Sequence, residues 1–158
     1  MKQLVLCACV LAFSLADCAN SHAQTPTPAG NYIQVLSLNQ PPCKVLSAKD
    51  VLTAKIAYRI AESEQSAAGF AVSIKFQGVD PRYTFSVVRS FGATPPVPDT
   101  PVTRRSDTLT LSYRMADIMH DTRLLRPITC YFYLHRNLGK GRSTVIAQTP
   151  PKVFRECQ

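Results

Sequence analysis

The sequence contains no tryptophan, so it cannot hold the Cys-Trp-Cys framework of antibody domains. It also lacks the Gly-x-Ser-x-Gly nucleophile motif, a glycine-rich phosphate loop, the His-Glu-x-x-His motif and paired-cysteine zinc spacing. Histidine is scarce: three are present, and His22 lies in the N-terminal segment, which leaves little capacity for general-base catalysis. We therefore expect a chain that is not an enzyme and needs no cofactor.

No apolar run is long enough to span a bilayer, which requires about 20 residues. The longest run, Leu4 to Ala16, follows Lys2 and precedes a polar stretch with small residues at its end. This pattern predicts a secretory signal peptide, residues 1–23, cleaved near Ala23, and a secreted or periplasmic mature chain without a transmembrane segment. The alternative is a lipoprotein anchored at Cys18, which we disfavour because an acidic residue precedes that cysteine.

Acidic residues are outnumbered by basic ones, 10 to 18, which gives a net charge of +8. Loss of residues 1–23 removes one residue of each sign, Lys2 and Asp17, so the surplus persists in the mature chain. A positive surplus favours anionic partners such as lipid headgroups, acidic glycans or acidic proteins. Nucleic acid is not expected, because an exported protein rarely meets it and the basic residues are scattered. The alternative is that the charge only keeps the domain soluble.

Apolar and polar residues alternate with period two through most of the chain, and no helical apolar stripe is sustained. Turn-forming prolines and glycines separate the alternating runs. Seven strands are predicted, at Tyr32–Leu38, Leu52–Ile60, Phe70–Phe76, Tyr83–Val87, Leu109–Met115, Ile128–Leu134 and Ser143–Thr149.

Seven short strands with one apolar and one polar face predict an all-β fold within a single domain, residues 24–158. We expect a two-sheet antiparallel sandwich, with an order of strands compatible with immunoglobulin-like or fibronectin-III-like topology. A proline-rich loop at residues 92–107 is expected to cross between the sheets, because proline has no N–H to donate to a ladder. The alternative for this loop is a polyproline ligand.

Three cysteines remain after signal cleavage: Cys43, Cys130 and Cys157. In an immunoglobulin-like order, the loop that holds Cys43 lies at the same end of the sandwich as the end of the last strand. We therefore predict a disulfide between Cys43 and Cys157, with Cys130 left as a buried thiol in its alternating strand.

The stretch CYFYLHRNLGKGRSTVIA, residues 130–147, reads as a strand, a basic tip and a second strand. With Arg136 facing Arg142 across the turn, Cys130 would pair near Gln148. Tyrosine and arginine are enriched at binding hot spots, so the hairpin and its outward face predict a surface for an acidic protein or an anionic envelope glycan. The residues assigned to this surface are Tyr131, Tyr133, His135, Arg136, Lys140, Arg142 and, on a neighbouring strand, Lys75.

The alternative is that the residues of this hairpin have only a structural role. Cross-strand tyrosines stabilise exposed sheet, glycines serve the turn, and charged tips discourage edge-to-edge pairing.

A second polar cluster lies in the segment ADIMHD, and it provides an alternative function. If this segment makes a helical turn, its acidic and histidine side chains share a face, and a distant histidine would complete a zinc or copper site. The candidate ligands are Asp117, His120, Asp121 and His135. Otherwise the segment only crosses between the sheets, with Ile118 and Leu124 in the core.

Three functional hypotheses follow from these residues. The first is an exported, non-catalytic binding module in the bacterial envelope or extracellular space. The second is a periplasmic metal-binding carrier. The third is a structural accessory subunit whose proline loop or edge strand docks into a larger envelope assembly.

Overall fold

The computed structural model describes residues 30–40, 43–86 and 99–156. The expected signal peptide, the alternative anchor at Cys18 and the first part of the proline-rich loop lie outside these ranges. Across the described ranges, no helix has the length and apolar character needed to cross a membrane.

Nine strands and one turn of 3-10 helix (Met115–Asp117) form in the described part of the chain. Each of the seven predicted runs overlaps a strand in its described residues, with Val87 at the end of the fourth run lying outside them, whereas β5 and β9, of three residues each, were not predicted from alternation. The strands are β1 (Tyr32–Leu38), β2 (Val51–Arg59), β3 (Phe70–Gln77), β4 (Thr84–Ser86), β5 (Thr100–Val102), β6 (Ser106–Arg114), β7 (Ile128–Gly139), β8 (Arg142–Gln148) and β9 (Lys152–Phe154).

Strands β1, β2 and β6 form a three-stranded antiparallel sheet with β2 in the centre. The alternation of β2 explains its position, because its even-numbered residues, 52 to 58, are all buried while Val51 and Lys55 are exposed. A bulge between Val35 and Ser37 interrupts the pairing of β1 with β2.

The second sheet has six strands and is built on the antiparallel pair β3 and β7. The remaining edge of β3 is shared by β4 and β5, and the remaining edge of β7 is shared by β8 and β9. Two prolines, Pro150 and Pro151, lie between β8 and β9. Each edge of this sheet is therefore divided between two strands, which limits pairing with other chains.

One hydrophobic core is shared by the two sheets, an arrangement consistent with a β-sandwich. Ile56 and Leu111 contribute from the three-stranded sheet, and Ile74 and Phe132 contribute from the six-stranded sheet. Each of these side chains is at most 1 % exposed, and burial of such a residue contributes about 1.5 to 3 kcal/mol. The prediction of an all-β fold with two antiparallel sheets is confirmed.

The proline-rich loop differs from expectation where it is described. Thr100–Val102 forms β5, in which Pro101 is paired with Ala71 of β3. The prediction that this run supplies no strand is wrong for these residues. Proline is tolerated at the edge of a sheet, where its missing N–H faces away from the ladder, and Val102 provides a core side chain that is 8 % exposed.

The two ends of the domain carry different loops. At the hairpin end, the loop between β2 and β3 meets the hairpin of β7 and β8 through Glu64, which contacts both Asn31 and Arg136. At the opposite end lie residues 43–50, 78–83 and 115–127. The crossing segment there buries Ile118 and Leu124, as predicted.

Candidate binding surface

The basic hairpin is tighter than the sequence suggests. Strand β7 continues to Gly139 and β8 begins at Arg142, so that only Lys140 and Gly141 form the turn. Both turn residues have positive φ, 52° and 71°, which is the backbone of a two-residue type I′ hairpin. Gly139, also at positive φ, lies directly before the turn.

The pairing of β7 with β8 contains two irregularities, and they change the expected register. Arg136 is opposite Thr144, and Arg142 is opposite Gly139. Cys130 is opposite Lys152 of β9. The predicted pairing of Arg136 with Arg142, and of Cys130 near Gln148, is therefore wrong, because bulges add residues that alternation does not reveal.

Two cations stand free at the tip of the hairpin. Lys140 and Arg142 are exposed, and neither forms an ion pair with any described residue. Leu138 beside them is 48 % exposed. The tip therefore offers one apolar side chain and two uncompensated charges, a combination that suits an acidic partner.

The third predicted cation of the tip, Arg136, has an internal partner. Its Nη1 lies 3.0 Å from Oε2 of Glu64, and Asn31 donates to Oε1 of the same carboxylate. Arg136 thus fastens the hairpin to the loop between β2 and β3. Its assignment to the binding surface stays a prediction, and the structure shows that its charge is compensated within the chain.

Further contacts hold the base of the hairpin. The hydroxyl of Ser66 donates to the carbonyl of Asn137 at 2.5 Å, and the N–H of Asn137 donates to the carbonyl of Gly69 at 3.0 Å. The exposed tip therefore extends from a fixed base, which reduces the entropy lost when a partner binds.

The tyrosines of β7 are half-buried on the outer face of the six-stranded sheet. The Tyr131 hydroxyl donates to Oε1 of Gln77, and the rings of Tyr131 and Tyr133 lie 6.0 Å apart. Burial raises the pKa of Tyr133, and the neighbouring Tyr131 adds to that shift. Both side chains stabilise the sheet while keeping part of their rings accessible.

Lys75 is adjacent to Tyr131 in the ladder but is already engaged. Its Nζ lies 3.3 Å from Oδ1 of Asp99 and 2.5 Å from the hydroxyl of Ser86. The side chain is 15 % exposed. Lys75 therefore organises this face through internal contacts, and its assignment to the binding surface stays a prediction.

His135 is on the predicted face of β7, yet it is only 4 % exposed. Its Nε2 lies 2.7 Å from the hydroxyl of Ser73, which is fully buried. Burial lowers the pKa of His135, the Asp99 carboxylate opposes that shift, and Lys75 adds to it. The expectation of an exposed contact is wrong here, since alternation assigns a face but not its solvent access.

The Ser73–His135 pair resembles two members of a catalytic triad, but its surroundings differ. Nδ1 of His135 has no hydrogen-bond partner among the described residues, whereas a triad requires an acid at that atom to orient the ring. The nearby carboxylate of Asp99 bonds to Lys75 instead. Burial also raises the pKa of the Cys130 thiol to about 12, which opposes formation of a thiolate.

The proposed metal ligands are not brought together. No cluster of three His, Cys, Asp or Glu side chains suited to a metal occurs among the described residues. Asp117 forms an ion pair with Arg114, and Asp121 binds Arg123 through both carboxylate oxygens. His120 is exposed, near the carbonyl of Ala116.

The predicted disulfide between Cys43 and Cys157 stays a prediction, because Cys157 lies outside the described residues. Two observations support it. Cys43 follows β1 at the opposite end of the domain from the hairpin, and β9 runs toward that same end. Cys43 also lines a groove together with Lys152, Val153 and Phe154 of β9.

The structure shows which charged side chains are paired with each other, which the sequence does not reveal. Among described residues, every Asp and Glu except Glu156 forms an ion pair with a lysine or arginine. The positive surplus therefore resides in side chains without a carboxylate partner in the described chain: Lys49, Lys55, Arg59, Arg126, Lys140, Arg142, Lys152 and Arg155.

Sequence reasoning missed Leu138 and Asp99 as members of the hairpin region. Leu138 was hidden within a charged tip, and Asp99 belongs to the proline-rich loop, 24 residues from the lysine that it binds. No local signal marks such a pair, because only the pairing of β5 with β3 brings the two residues together.

Comparison with known proteins assigns no family or function to the chain. No protein-family model matches the chain, no curated protein is similar to it, and no solved structure matches its fold.

Proposed function

We propose that this chain is an exported, non-catalytic binding module that recognises an acidic protein or glycan through the tip of its basic hairpin. The observation that carries the proposal is the exposed pair Lys140, in the two-residue turn, and Arg142, at the start of β8; neither has an ion-pair partner among the described residues, and the base of the hairpin is held by hydrogen bonds. Because nearly all described carboxylates have internal cationic partners, these two charges remain available to a partner.

We further propose an immunoglobulin-like or fibronectin-III-like arrangement of the strands. The order β1-β2-β6 in one sheet and β4-β3-β7-β8 in the other supports it. In such folds, strands A, B and E form one sheet, and strands C′, C, F and G form the other. The hairpin of β7 and β8 then corresponds to the F–G loop, which contributes to recognition in variable domains.

The tyrosine face has a smaller role than the tip in this proposal. Tyr131 and Tyr133 present partly accessible rings beside the hairpin, while Lys75, His135 and Arg136 maintain the scaffold through internal contacts. The buried serine–histidine pair and the buried Cys130 thiol support a non-catalytic function.

The test compares two double variants. One replaces the two exposed cations of the hairpin tip, and the other replaces two exposed cations at the opposite end of the domain. We expect Lys140→Ser combined with Arg142→Ser to weaken binding of a hexaglutamate peptide or an oligogalacturonate at least about tenfold. The control, Lys49→Ser combined with Arg155→Ser, removes the same charge from exposed sites far from the hairpin. It should retain affinity within about twofold, since distant exposed charges are screened.

Melting temperatures of both double variants should match the parent, because none of the four side chains forms an ion pair in the part of the chain that the structure describes. Equal loss of binding in the two variants would show that only net charge matters, and it would refute the assignment of binding to the hairpin tip. Affinity capture with the mature chain as bait, with the hairpin variant as negative control, would then identify the natural partner.

A structural accessory subunit is the second candidate, favoured by β6. This nine-residue strand pairs with β2 along one edge, and its other edge has no partner strand among the described residues. Such edges accept an added strand from another protein. Lysines at the exposed Thr108 and Thr110 should then prevent co-purification with an assembly without changing binding of hexaglutamate.

A further inference from the structure

A cleft of about 360 Å³ lies between the hairpin and β5, on the outer side of the six-stranded sheet. This volume falls in the range of ligand pockets, roughly 300 to 1,000 Å³. Its lining is mixed in chemistry: one cation, one carboxylate, one amide, one hydroxyl and small apolar residues. The residues that matter are Ala71, Asp99, Pro101, Asn137, Arg142 and Ser143.

These groups have complementary roles for one kind of ligand. The guanidinium of Arg142 is exposed and has no carboxylate partner within the described ranges, so it can bind a ligand carboxylate through two hydrogen bonds. Asp99 uses Oδ1 to bind Lys75, which leaves Oδ2 to accept from a ligand hydroxyl. Asn137 and Ser143 add a donor and acceptor each on the hairpin side.

We infer that this cleft is a subsite for an acidic sugar, a hexuronate unit of an anionic polysaccharide. The inference rests on the proposed function and specifies its partner. A hexuronate carries one carboxylate and several hydroxyls, which matches one free cation beside several hydrogen-bonding groups. Ala71 and Pro101 form a small apolar floor against which a sugar ring can pack.

The carboxylate of Asp99 decides between a sugar and an acidic peptide. A run of glutamates offers only carboxylates and no hydroxyls, so it has no donor for the Asp99 acceptor. A hexuronate can instead donate a hydroxyl to Asp99 while its own carboxylate binds Arg142 on the other side of the cleft.

The site is also largely preformed. Lys75 holds Asp99 at 3.3 Å, and the backbone of Asn137 is fixed by its hydrogen bond to Gly69. Pre-organised groups lose little freedom on binding, which favours recognition of a small polar ligand.

The experiment titrates the mature chain with trigalacturonate, its methyl ester and hexaglutamate, with affinities from calorimetry or ligand-observed NMR. We expect trigalacturonate to bind and its methyl ester to bind at least about tenfold more weakly, because esterification removes the charge that Arg142 recognises. Arg142→Gln should cause a similar loss for trigalacturonate, whereas the exposed Arg155→Gln should cause none.

The variant Asp99→Asn distinguishes binding of an acidic sugar from binding of an acidic peptide. The change should weaken the binding of trigalacturonate, because a charged acceptor becomes a neutral one. The affinity for hexaglutamate should stay unchanged or increase. Melting curves identify any variant whose fold has changed. As an independent readout, the backbone amide resonances of Asn137 and Gly141 should shift on addition of trigalacturonate.

Each alternative outcome is decisive. Trigalacturonate binding that survives Arg142→Gln would overturn the cleft as its site. Binding of hexaglutamate alone, lost on Lys140→Ser, would overturn the sugar inference but support the proposed function. Failure of the chain to bind either probe would overturn both.

Discussion

The outer faces of the two sheets follow the same alternation in sequence but differ in burial. On the three-stranded sheet, Lys55 of β2 is exposed, and Thr53 bonds to Ser112 across the ladder at 2.9 Å. On the six-stranded sheet, Ser73 and His135 occupy equivalent outward positions and are 0 % and 4 % exposed. One face is solvated and the other carries a polar layer.

This difference shows what the period of two does and does not specify. The period assigns each side chain to a face of the sheet, but access to solvent depends on what lies above that face. On the six-stranded sheet, Asp99, Lys75 and Ser86 form a chain of polar contacts beside the serine–histidine pair. Substitutions on the inner and outer faces of both sheets therefore test how far this difference in burial extends.

The inner faces should behave alike in both sheets. Leu134→Ala in β7 and Ile56→Ala in β2 each remove a fully buried side chain, and each should reduce the free energy of unfolding by about 2 to 5 kcal/mol. Chemical denaturation measures both values. A cost below about 1 kcal/mol for either variant would contradict the shared core, since surface substitutions give changes of that size.

The outer faces should differ. His135→Ala leaves the buried Ser73 hydroxyl without its partner, so the free energy of unfolding should fall by about 1 to 3 kcal/mol. Lys55→Ala on the three-stranded sheet should change it by less than about 0.5 kcal/mol. Similar values for the two variants, measured by denaturant unfolding, would mean that the two outer faces are equivalent.

Acidification should destabilise the domain through His135. Burial lowers the pKa of His135 in the folded chain below the ordinary 6.5. Just below pH 6.5, this side chain therefore binds a proton more readily in the unfolded chain than in the folded chain. Stability should therefore be complete above pH 6.5 and fall below it, with a slope of at most about 1.4 kcal/mol per pH unit. The carboxyls of Asp50 and Asp121, with pKa values of about 2, titrate below this window.

Two glutamine variants isolate that effect in unfolding curves between pH 6.5 and about pH 5. His135→Gln should flatten the dependence, since the buried titrating group is gone. The exposed His120→Gln should preserve it. If the two variants give equal slopes, His135 is not the source.

The smallest effect concerns the hairpin. Arg136→Ser leaves Glu64 without its cation and should reduce the free energy of unfolding by about 1 kcal/mol. Lys140→Ser, four residues away, should leave stability unchanged because that side chain is exposed and has no ion-pair partner among the described residues. Thermal melting compares them. Equal melting temperatures for these two variants would mean that Arg136 is as free as Lys140.

Much of the fold was predictable, because alternation is a local property. The first predicted run, Tyr32–Leu38, coincides with β1 in full, and the four apolar residues of the predicted run in β7, namely Ile128, Cys130, Phe132 and Leu134, are all buried. The short strands β5 and β9 were not predictable, since three residues carry no periodic signal. The register of the hairpin was missed because bulges depend on backbone conformation.

The candidate site was predictable only in part. The exposure of Lys140 and Arg142 follows from their place at a glycine-flanked turn. The internal role of Arg136 depends on Glu64, 72 residues earlier in the chain. Likewise, the hydrogen bond of the buried His135 joins it to Ser73 in another strand, 62 residues earlier. Contacts of this range arise from the packing of the sheet and leave no mark on neighbouring sequence.

The position of Cys130 gives the domain a built-in reporter of its own opening. Its sulfur is fully shielded, and its thiol resists ionisation up to about pH 12. An alkylating reagent will therefore modify it only in molecules whose six-stranded sheet has transiently come apart. The rate of labelling at this single atom measures how often that happens, without any engineered probe.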